Sequence, residues 1–186
     1  DKITMGATNW DAGTVSGGTV TEFSAANSAY AGMILGYTDI GLNETRVTYN
    51  VTNSYAVPTD EWGVTFVAPP SGNVEIFVQF GNFVNNAVGT GDLFAGLSDA
   101  NATSGYNTIG AQHEERILDQ GVRGGIINSP RNVWTLTGLT AGTSYTRWVG
   151  VKYAVGSCDI AYGGSGTGHY PSFIMKATAL PETITT

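Results

Sequence analysis

The sequence contains few charged residues of either sign, and basic residues are the scarcer kind. Lys and Arg number 8 and Asp and Glu number 15, so the 186-residue chain carries a net charge of −7 at pH 7. Charged residues make up 12% of the chain, about half of the roughly 25% that is usual in soluble domains. Because no basic cluster is present, the sequence argues against a positively charged track for nucleic-acid phosphates.

The chain also lacks long apolar runs and has almost no cysteine. No stretch of about 18 apolar residues occurs, so neither a transmembrane helix nor membrane insertion is predicted. The single cysteine, Cys158, rules out an intrachain disulfide and a cysteine-rich zinc site. We interpret Cys158 as a small, partly buried apolar residue, with an intermolecular disulfide as the alternative.

Histidine is equally scarce, which bears on catalysis. The chain has 2 histidines, His113 and His169, and a serine hydrolase would need one of them beside a nucleophile. No Gly-x-Ser-x-Gly elbow is present. The glycine-rich run 163–168 has neither that spacing nor the spacing of a nucleotide-binding loop. We therefore predict that the protein is not an enzyme and that it binds no cofactor or metal. The alternative for a metal is calcium, because Asp92, Asp99 and Asp119 lie in predicted loops, although they do not have the EF-hand spacing.

The densest charge in the chain is the run His113-Glu114-Glu115-Arg116. A glycosidase needs two carboxyl groups that face each other across a sugar. Adjacent residues of a strand point to opposite faces, so Glu114 and Glu115 do not suit that role. Charged residues are usually exposed, so we expect a solvated loop here. The more specific interpretation is an ion-pair cluster between subunits that involves Arg116 or Arg123.

What the sequence does contain is a series of short β-rich runs separated by Gly, Asn, Asp, Ser or Pro, with 26 glycines in all. This pattern is typical of β-sandwiches and barrels. From Val74 to Phe80, for example, every second residue is apolar and falls on one face of a strand. For 113–120 the sequence predicts one short helical turn or an extended loop. The predicted strands are 46–52, 63–67, 73–80, 93–99, 133–136, 144–153 and 172–177.

Residues 1–56 differ in composition from the rest of the chain. They are rich in Gly, Thr, Ser, Asn and Ala, with aromatic residues such as Trp10 and Tyr37 among them. Because this composition is too apolar for disorder, we expect either an arm that lies on a neighbouring subunit or extra strands of the same sandwich. The remaining predicted segments are a sandwich over 57–180 and a tail over 181–186.

The stretch 64–76 reads Val-Thr-Phe-Val-Ala-Pro-Pro-Ser-Gly-Asn-Val-Glu-Ile and resembles a signature of trimeric jelly-roll heads. In that signature an apolar strand ends at a Pro-Ser-Gly turn, and the next strand returns in the opposite sheet. Such heads occur in tumour-necrosis-factor-like and complement-type domains, and in bacteriophage tail-fibre and capsid-decoration proteins. The resemblance implies a jelly-roll fold and a homotrimer.

A second stretch, from Leu136 to Tyr145, is similar to the tyrosine corner of fibronectin type III domains. In that corner a leucine packs inward, a turn redirects the chain, and a tyrosine hydroxyl bonds to upstream backbone. Leu139 and Tyr145 match these two roles, while Ala141 stands where that family often has proline. The same sequence motif also occurs in phage virion jelly rolls. It therefore indicates an edge crossing of a β-sandwich rather than membership of one family.

Loop residues are the candidates for contact with a partner. Tyr106 and Asn107 lie in a predicted loop, and Ser165, His169 and Tyr170 lie in or beside the glycine-rich run. The plain interpretation of that run is a flexible hairpin loop. The more specific interpretation is an exposed tip that touches a receptor or a neighbouring subunit.

The 4 tryptophans could belong either to a sugar-binding surface or to the core. Aromatic rings stack on the apolar faces of sugars, so tryptophans could line a sugar-binding surface. Aromatic residues at strand positions nevertheless belong more often to a core or to a subunit interface. Trp134 and Trp148 lie in predicted strands, and we therefore predict them as core residues.

Together these features predict a jelly-roll-like antiparallel β-sandwich with an N-terminal β-rich extension. The span 57–180 exceeds the ~100 residues of an immunoglobulin-like sandwich and favours eight strands. The composition is similar to that of tailed-phage structural proteins, which implies a virion protein, in capsid decoration or a tail fibre, for assembly, particle stabilisation or host attachment. Expected partners are copies of the chain, other virion proteins and a host-surface glycan. The alternative is a carbohydrate-binding or adhesive module of a bacterial surface protein.

Overall fold

The fold is built from β-strands. The computed structural model describes residues 31–41, 47–84, 92–101, 115–118, 129–154, 158–164 and 170–184. These residues form strands and turns and no helix, which confirms the predicted all-β class. The strands are β1 (Ile34–Ile40), β2 (Val47–Val51), β3 (Gly63–Val67), β4 (Val74–Gln79), β5 (Asn82–Val84), β6 (Leu93–Ser98), β7 (Glu115–Leu118), β8 (Arg131–Leu136), β9 (Ser144–Tyr153), β10 (Cys158–Tyr162) and β11 (Phe173–Ala179).

Alternating apolar side chains account for most of these strands. Along β4 the burial alternates strictly, and Val74, Ile76 and Val78 are inaccessible to solvent. Burial alternates in the same way along the whole of β11. A strand with one apolar face is held in register by packing that face on a core. The predicted strands 63–67 and 144–153 have the same bounds in the structure, as β3 and β9.

The strands form two large antiparallel sheets and a smaller one. Their strand orders are β1-β11-β4-β8, β3-β9-β6-β7 and β2-β10-β5. Counted along the chain, the eight strands of the large sheets pair first with eighth, second with seventh, third with sixth and fourth with fifth. This nested pairing is that of one long antiparallel ribbon rolled into a sandwich. It confirms the predicted antiparallel β-sandwich.

One hydrophobic core lies between the large sheets. Trp62 is inaccessible to solvent, and its indole stacks on the ring of Phe173 with centroids 4.5 Å apart and planes 13° apart. Trp134 is 1% exposed, which confirms its prediction as a core residue. Trp148 is only half-buried, and its indole lies so close to Gly63 that a Cβ there would come within 2.7 Å of Trp148 Cδ1.

The edges of the two large sheets meet where β1 packs on β3. A Cβ built on Gly36 would collide with the carbonyl oxygen of Thr65 and come within 2.9 Å of Val64 Cγ2. Nearby, the hydroxyl of Thr38 donates a hydrogen bond of 2.6 Å to the carbonyl of Gly63. Only a residue without a side chain allows the two backbones to approach this closely. The sandwich is therefore closed along this edge.

Part of the segment 1–56 belongs to the sandwich itself. β1 pairs with the last strand, β11, and β2 pairs with β10. Just before β1, the amide of Gly32 donates to the carbonyl of Ala179 at 2.7 Å, and the amide of Ala179 donates to the carbonyl of Met33 at 2.8 Å. The chain therefore enters β1 beside the point where it leaves β11.

The segment after β11 is fastened to the turn before β4. The Asn73 amide nitrogen donates to the carbonyls of Pro181 at 2.9 Å and Glu182 at 3.1 Å. The hydroxyl of Ser71 donates to the carbonyl of Leu180 at 2.7 Å. Asn73 is 7% exposed, so its two bonds are largely shielded from water and worth more than bonds at the surface. We call this group of hydrogen bonds the C-terminal latch.

The sequence pattern does not predict β1, β5, β7 or β10. The expectation of a helical turn or a loop in 113–120 is wrong at residues 115–118, which form β7 and pair with β6. In β10 four of five residues are buried, so there is no alternation to recognise. Pairing with β2 and β5 on its two sides holds that strand in place.

Cys158 lies in β10 and is 1% exposed, which confirms its interpretation as a buried apolar residue. Burial, and to a smaller degree Asp159, raises the pKa of its thiol to about 12. Because the thiolate is the reactive form, we expect iodoacetamide to alkylate the folded chain at pH 9 about 10³-fold more slowly than the unfolded chain. Mass spectrometry over time, with and without urea, measures both rates. Similar rates in the two states would contradict the burial of this thiol.

Candidate interaction face

The outward side of the β1-β11-β4-β8 sheet is the most exposed apolar surface that the structure describes. The side chains that alternate with the buried ones point away from the core on all four strands, since neighbours in register share a face. We call this surface the outer face. It consists of Ile34, Tyr37, Asp39, Glu75, Phe77, Gln79, Arg131, Val133, Thr135, Ile174, Lys176 and Thr178.

The central row of the outer face is aromatic and aliphatic. Tyr37, Lys176, Phe77 and Val133 are successive partners in register across β1, β11, β4 and β8. Tyr37 is 54% exposed and Val133 is 46% exposed. The Lys176 ammonium lies 5.4 Å from the centre of the Phe77 ring, so its charge is held over an aromatic face and its stem covers apolar surface. The row is therefore largely apolar, with Tyr37 and Val133 exposed at its two ends and Lys176 and Phe77 half-buried between them.

The exposed apolar side chains cluster rather than scatter. In the part of the chain that the structure describes, the large apolar side chains exposed by more than a third are Met33, Ile34, Tyr37 and Val133. Three of them belong to the outer face, and Met33 immediately precedes β1. Single exposed apolar residues are ordinary on a protein surface, whereas a contiguous patch marks an interaction site.

The charges of the outer face balance each other. It carries Asp39 and Glu75 against Lys176 and Arg131, a sum of zero, whereas the whole chain carries −7. A second row crosses the sheet from Asp39 on β1 to Arg131 on β8. Arg131 Nε donates to Gln79 Oε1 at 3.1 Å, which orients the guanidinium along the face. Opposite charges thus lie at opposite edges of one sheet.

Arg147 is the one buried charged side chain among the described residues, and it is not part of the outer face. It is 9% exposed. Its neighbour Val149 is buried on the same side of β9, so Arg147 points between the sheets. Nη1 donates to the carbonyl of Thr146 at 2.9 Å, and Cζ lies 5.0 Å from the centre of the Tyr145 ring. Nε has no hydrogen-bond partner. Burial lowers the pKa of Arg147, and Asp99 opposes that shift.

Most of the loop residues that were predicted as partner contacts lie outside the described residues. Tyr106, Asn107, His113, Glu114, Ser165 and His169 lie outside the described residues. The backbone of Arg116 lies in β7 opposite Phe94, away from the outer face. Tyr170 is half-buried, and its amide donates to the carbonyl of Gly163 at 3.0 Å. This bond joins the two flanks of the glycine-rich run.

In the stretch similar to a tyrosine corner, Tyr145 and Leu139 both make hydrogen bonds that hold the turn after β8. The Tyr145 hydroxyl accepts a hydrogen bond of 3.1 Å from the backbone amide of Thr140, and this bond lowers the pKa of the phenol. Leu139 is half-buried, packs against the core, and donates its amide to the carbonyl of Gly72 at 3.0 Å. These contacts join the turn after β8 to the turn before β4, so they position strands of the outer face rather than contribute to it.

Comparison with known proteins assigns no family to the chain. No model of a protein family matches the sequence, and no curated protein sequence matches it. Over the described ranges, no group of three or more His, Cys, Asp and Glu side chains is placed to hold a metal ion. The same ranges contain no helix that is long and apolar enough to span a membrane.

The sequence pattern predicted loop residues as partner contacts and did not predict the outer face. The signal was present in β4, where Phe77 is apolar although its neighbours Ile76 and Val78 already occupy the core side. In β8, Val133 stands next to the buried Trp134 in the same way. An apolar residue on the outward side of a strand is therefore a usable signal for an interface. It requires the register of all four strands before the residues can be seen as one surface.

Proposed function

We propose that the protein is a non-enzymatic structural module that associates with copies of itself through the outer face, as a jelly-roll component of a virion. Capsid decoration and a tail fibre are the two proposed positions, and particle assembly, stabilisation or host attachment is the proposed role. The observation that carries the proposal is the contiguous, accessible apolar row around Tyr37 and Val133. Burying such a row against a second chain removes apolar surface from water.

The nested strand pairing supports a jelly roll. A jelly roll is a double-sheet fold of eight strands that contains two Greek keys. Rolling one long antiparallel ribbon gives this arrangement, and the two large sheets pair their eight strands in that way. The short sheet β2-β10-β5 is an addition to those eight strands. The proposal of a virion role rests on this topology together with the low charge of the chain.

The distribution of charge supports copies of the same chain as the partner. Two chains of net charge −7 repel each other, and they can approach most easily through a surface whose own charges cancel. Tyr37 and Asp39 lie at the β1 edge of the outer face, and Arg131 and Val133 lie at its β8 edge. Contact of the β1 edge of one copy with the β8 edge of the next therefore brings both the unlike charges and the exposed apolar side chains together. Such a head-to-tail contact closes into a ring if the rotation permits. We propose a ring of three copies.

Light scattering over a concentration series tests the proposal. We expect a mass near three times 19.4 kDa for the unmodified chain. Tyr37→Asp and Val133→Asp should each give a monomer, because a buried carboxylate without a partner opposes association by several kcal/mol. Thr48→Asp is the matched control, since Thr48 is exposed on β2 outside the outer face. It should keep the mass of the unmodified chain.

Two results would contradict the proposal. One is a monomer at every concentration of the unmodified chain. The other is an oligomer whose mass survives both Tyr37→Asp and Val133→Asp, which would place the contact elsewhere. Thermal unfolding of each variant should match that of Thr48→Asp within about 0.5 kcal/mol at a concentration where all are monomeric, as is usual for surface substitutions.

A further inference from the structure

A small open pocket lies between β2, the segment that follows it, and β9. Its volume is about 200 Å³. The floor is formed by Val51, Val57 and Val151, which are 3%, 0% and 2% exposed. The rim includes Thr52 and Ser54, both exposed. An apolar floor with a polar rim is the usual construction of a site for a small molecule.

Backbone hydrogen bonds hold the walls of the pocket in place. The amide of Ala56 donates to the carbonyl of Val151 at 3.2 Å, and the amide of Val151 donates back to the carbonyl of Ala56 at 3.0 Å. The amide of Tyr153 donates to the carbonyl of Thr52 at 2.7 Å. The segment after β2 is thereby fixed against β9. A pocket with fixed walls requires little ordering when a ligand binds.

The aromatic wall of the pocket is also fixed. The half-buried ring of Tyr49 lines the pocket. It meets the indole of Trp62 edge-on at 5.9 Å and stacks on Tyr162 at 6.0 Å with 30° between the planes. Burial, and then a hydrogen bond with the Tyr49 hydroxyl, raises the pKa of Tyr162. Tyr49 is thus held by two rings and by its hydroxyl, which leaves the ring oriented before any ligand arrives.

The lining chemistry selects a neutral ligand. None of the residues that line the pocket is charged. Asn50 lines it too, and its amide nitrogen donates to Asp159 Oδ1 at 3.0 Å. Asn50 is exposed and is the neighbour of Tyr49 on β2, so its side chain lies on the opposite face of the strand from the Tyr49 ring. The rim therefore offers the two hydroxyls of Thr52 and Ser54, which pair with hydroxyl groups. A charged ligand would lose hydration without gaining a counter-charge.

We propose that this pocket binds a single neutral pyranose ring, the terminal sugar of a glycan. The ring would lay its apolar face on Tyr49 and direct its hydroxyl groups to Thr52 and Ser54. A pyranose combines one apolar face with a periphery of hydroxyls, which is the pattern that the pocket presents. The site adds a recognition role to the proposed assembly and does not depend on it, since every lining residue comes from one chain and none belongs to the outer face.

A titration monitored by amide chemical shifts of the full chain tests the site. Glucose, galactose, mannose and N-acetylglucosamine are the neutral probes, and glucuronic acid and N-acetylneuraminic acid are the charged ones. We expect saturable shifts at residues 49–57 with one of the neutral sugars, and a Kd on the order of 1 mM for so small a ligand. Ser54→Phe fills the pocket from its exposed rim and should weaken binding at least about tenfold.

Asn53→Phe is the matched control. Asn53 is exposed beside Ser54 but does not line the pocket, so the same bulk should leave the Kd unchanged. The proposal is overturned if no neutral sugar gives saturable shifts. It is also overturned if Ser54→Phe binds as well as Asn53→Phe, or if a charged sugar binds more tightly than every neutral one. Light scattering of the same samples reports on assembly separately, so failure of one proposal is distinguishable from failure of the other.

Discussion

Trp62→Ala is expected to lower the free energy of unfolding by about 3–5 kcal/mol. The Trp62 indole is inaccessible to solvent, stacks on Phe173 at 4.5 Å, and meets Phe80 edge-on at 6.0 Å. Removing it takes away ring contacts and leaves a cavity where the core meets the short sheet. Urea unfolding followed by circular dichroism measures the change, and the melting temperature should fall by about 6–20 °C for a chain of this length.

Trp62→Phe is the control for this experiment. It keeps an aromatic ring stacked on Phe173 and removes the rest of the indole. Because phenylalanine leaves a smaller cavity than alanine, the loss should be clearly smaller than for alanine. Equal losses for Trp62→Phe and Trp62→Ala would show that the stacked ring contributes little. A loss below about 1 kcal/mol for alanine would contradict the central position of Trp62 in the core.

Gly36→Val is expected to lower the free energy of unfolding by about 3 kcal/mol, the upper end of the usual range for overpacking. The group that a side chain at Gly36 would strike is the backbone carbonyl of Thr65, which is fixed by the pairing of β3 with β9. A flexible side chain could move aside, but a paired backbone cannot, so β1 would have to separate from β3. Hydrogen exchange should show loss of protection along β1, together with a lower free energy of unfolding.

Tyr37→Val separates this effect from strand propensity. Tyr37 is the next residue of β1 and is 54% exposed. At a concentration where both variants are monomeric, a valine there meets no backbone and should change stability by about 0.5 kcal/mol or less. If Gly36→Val were as stable as Tyr37→Val, the close approach of β1 and β3 would be wrong. The edge of the sandwich would then have to be closed by other contacts.

The strands that could be predicted are those in which one face is apolar and the other is not. In β4, Val74, Ile76 and Val78 alternate with residues that face outward, and this period of two reports burial directly. β9 is easier to recognise because it is ten residues long, so the period of two can be followed over many positions. The sandwich class follows from several such strands separated by turn residues. The sandwich class can therefore be predicted without knowing which strands pair.

The remaining strands depend on pairing that the pattern does not encode. β10 is buried on nearly all of its residues, and β1 is exposed or half-buried over most of its length, so neither shows a clean alternation. β1 is a strand because β11 lies beside it. The outer face follows from the same pairing, because Tyr37 and Val133 are 96 residues apart in number and become parts of one row only through β11 and β4.

The adjacency of Gly32 and Ala179 determines how the module would respond to force. Pulling the two ends of the described fold apart would peel β1 from β11, and the load would fall on one backbone pair at a time. Pairs loaded in sequence yield at lower force than pairs loaded together along the strand direction. The C-terminal latch at Asn73 would be loaded in the same geometry. The two ends of the described fold thus leave it side by side, and a load applied between them would be carried first by the pairing of β1 with β11.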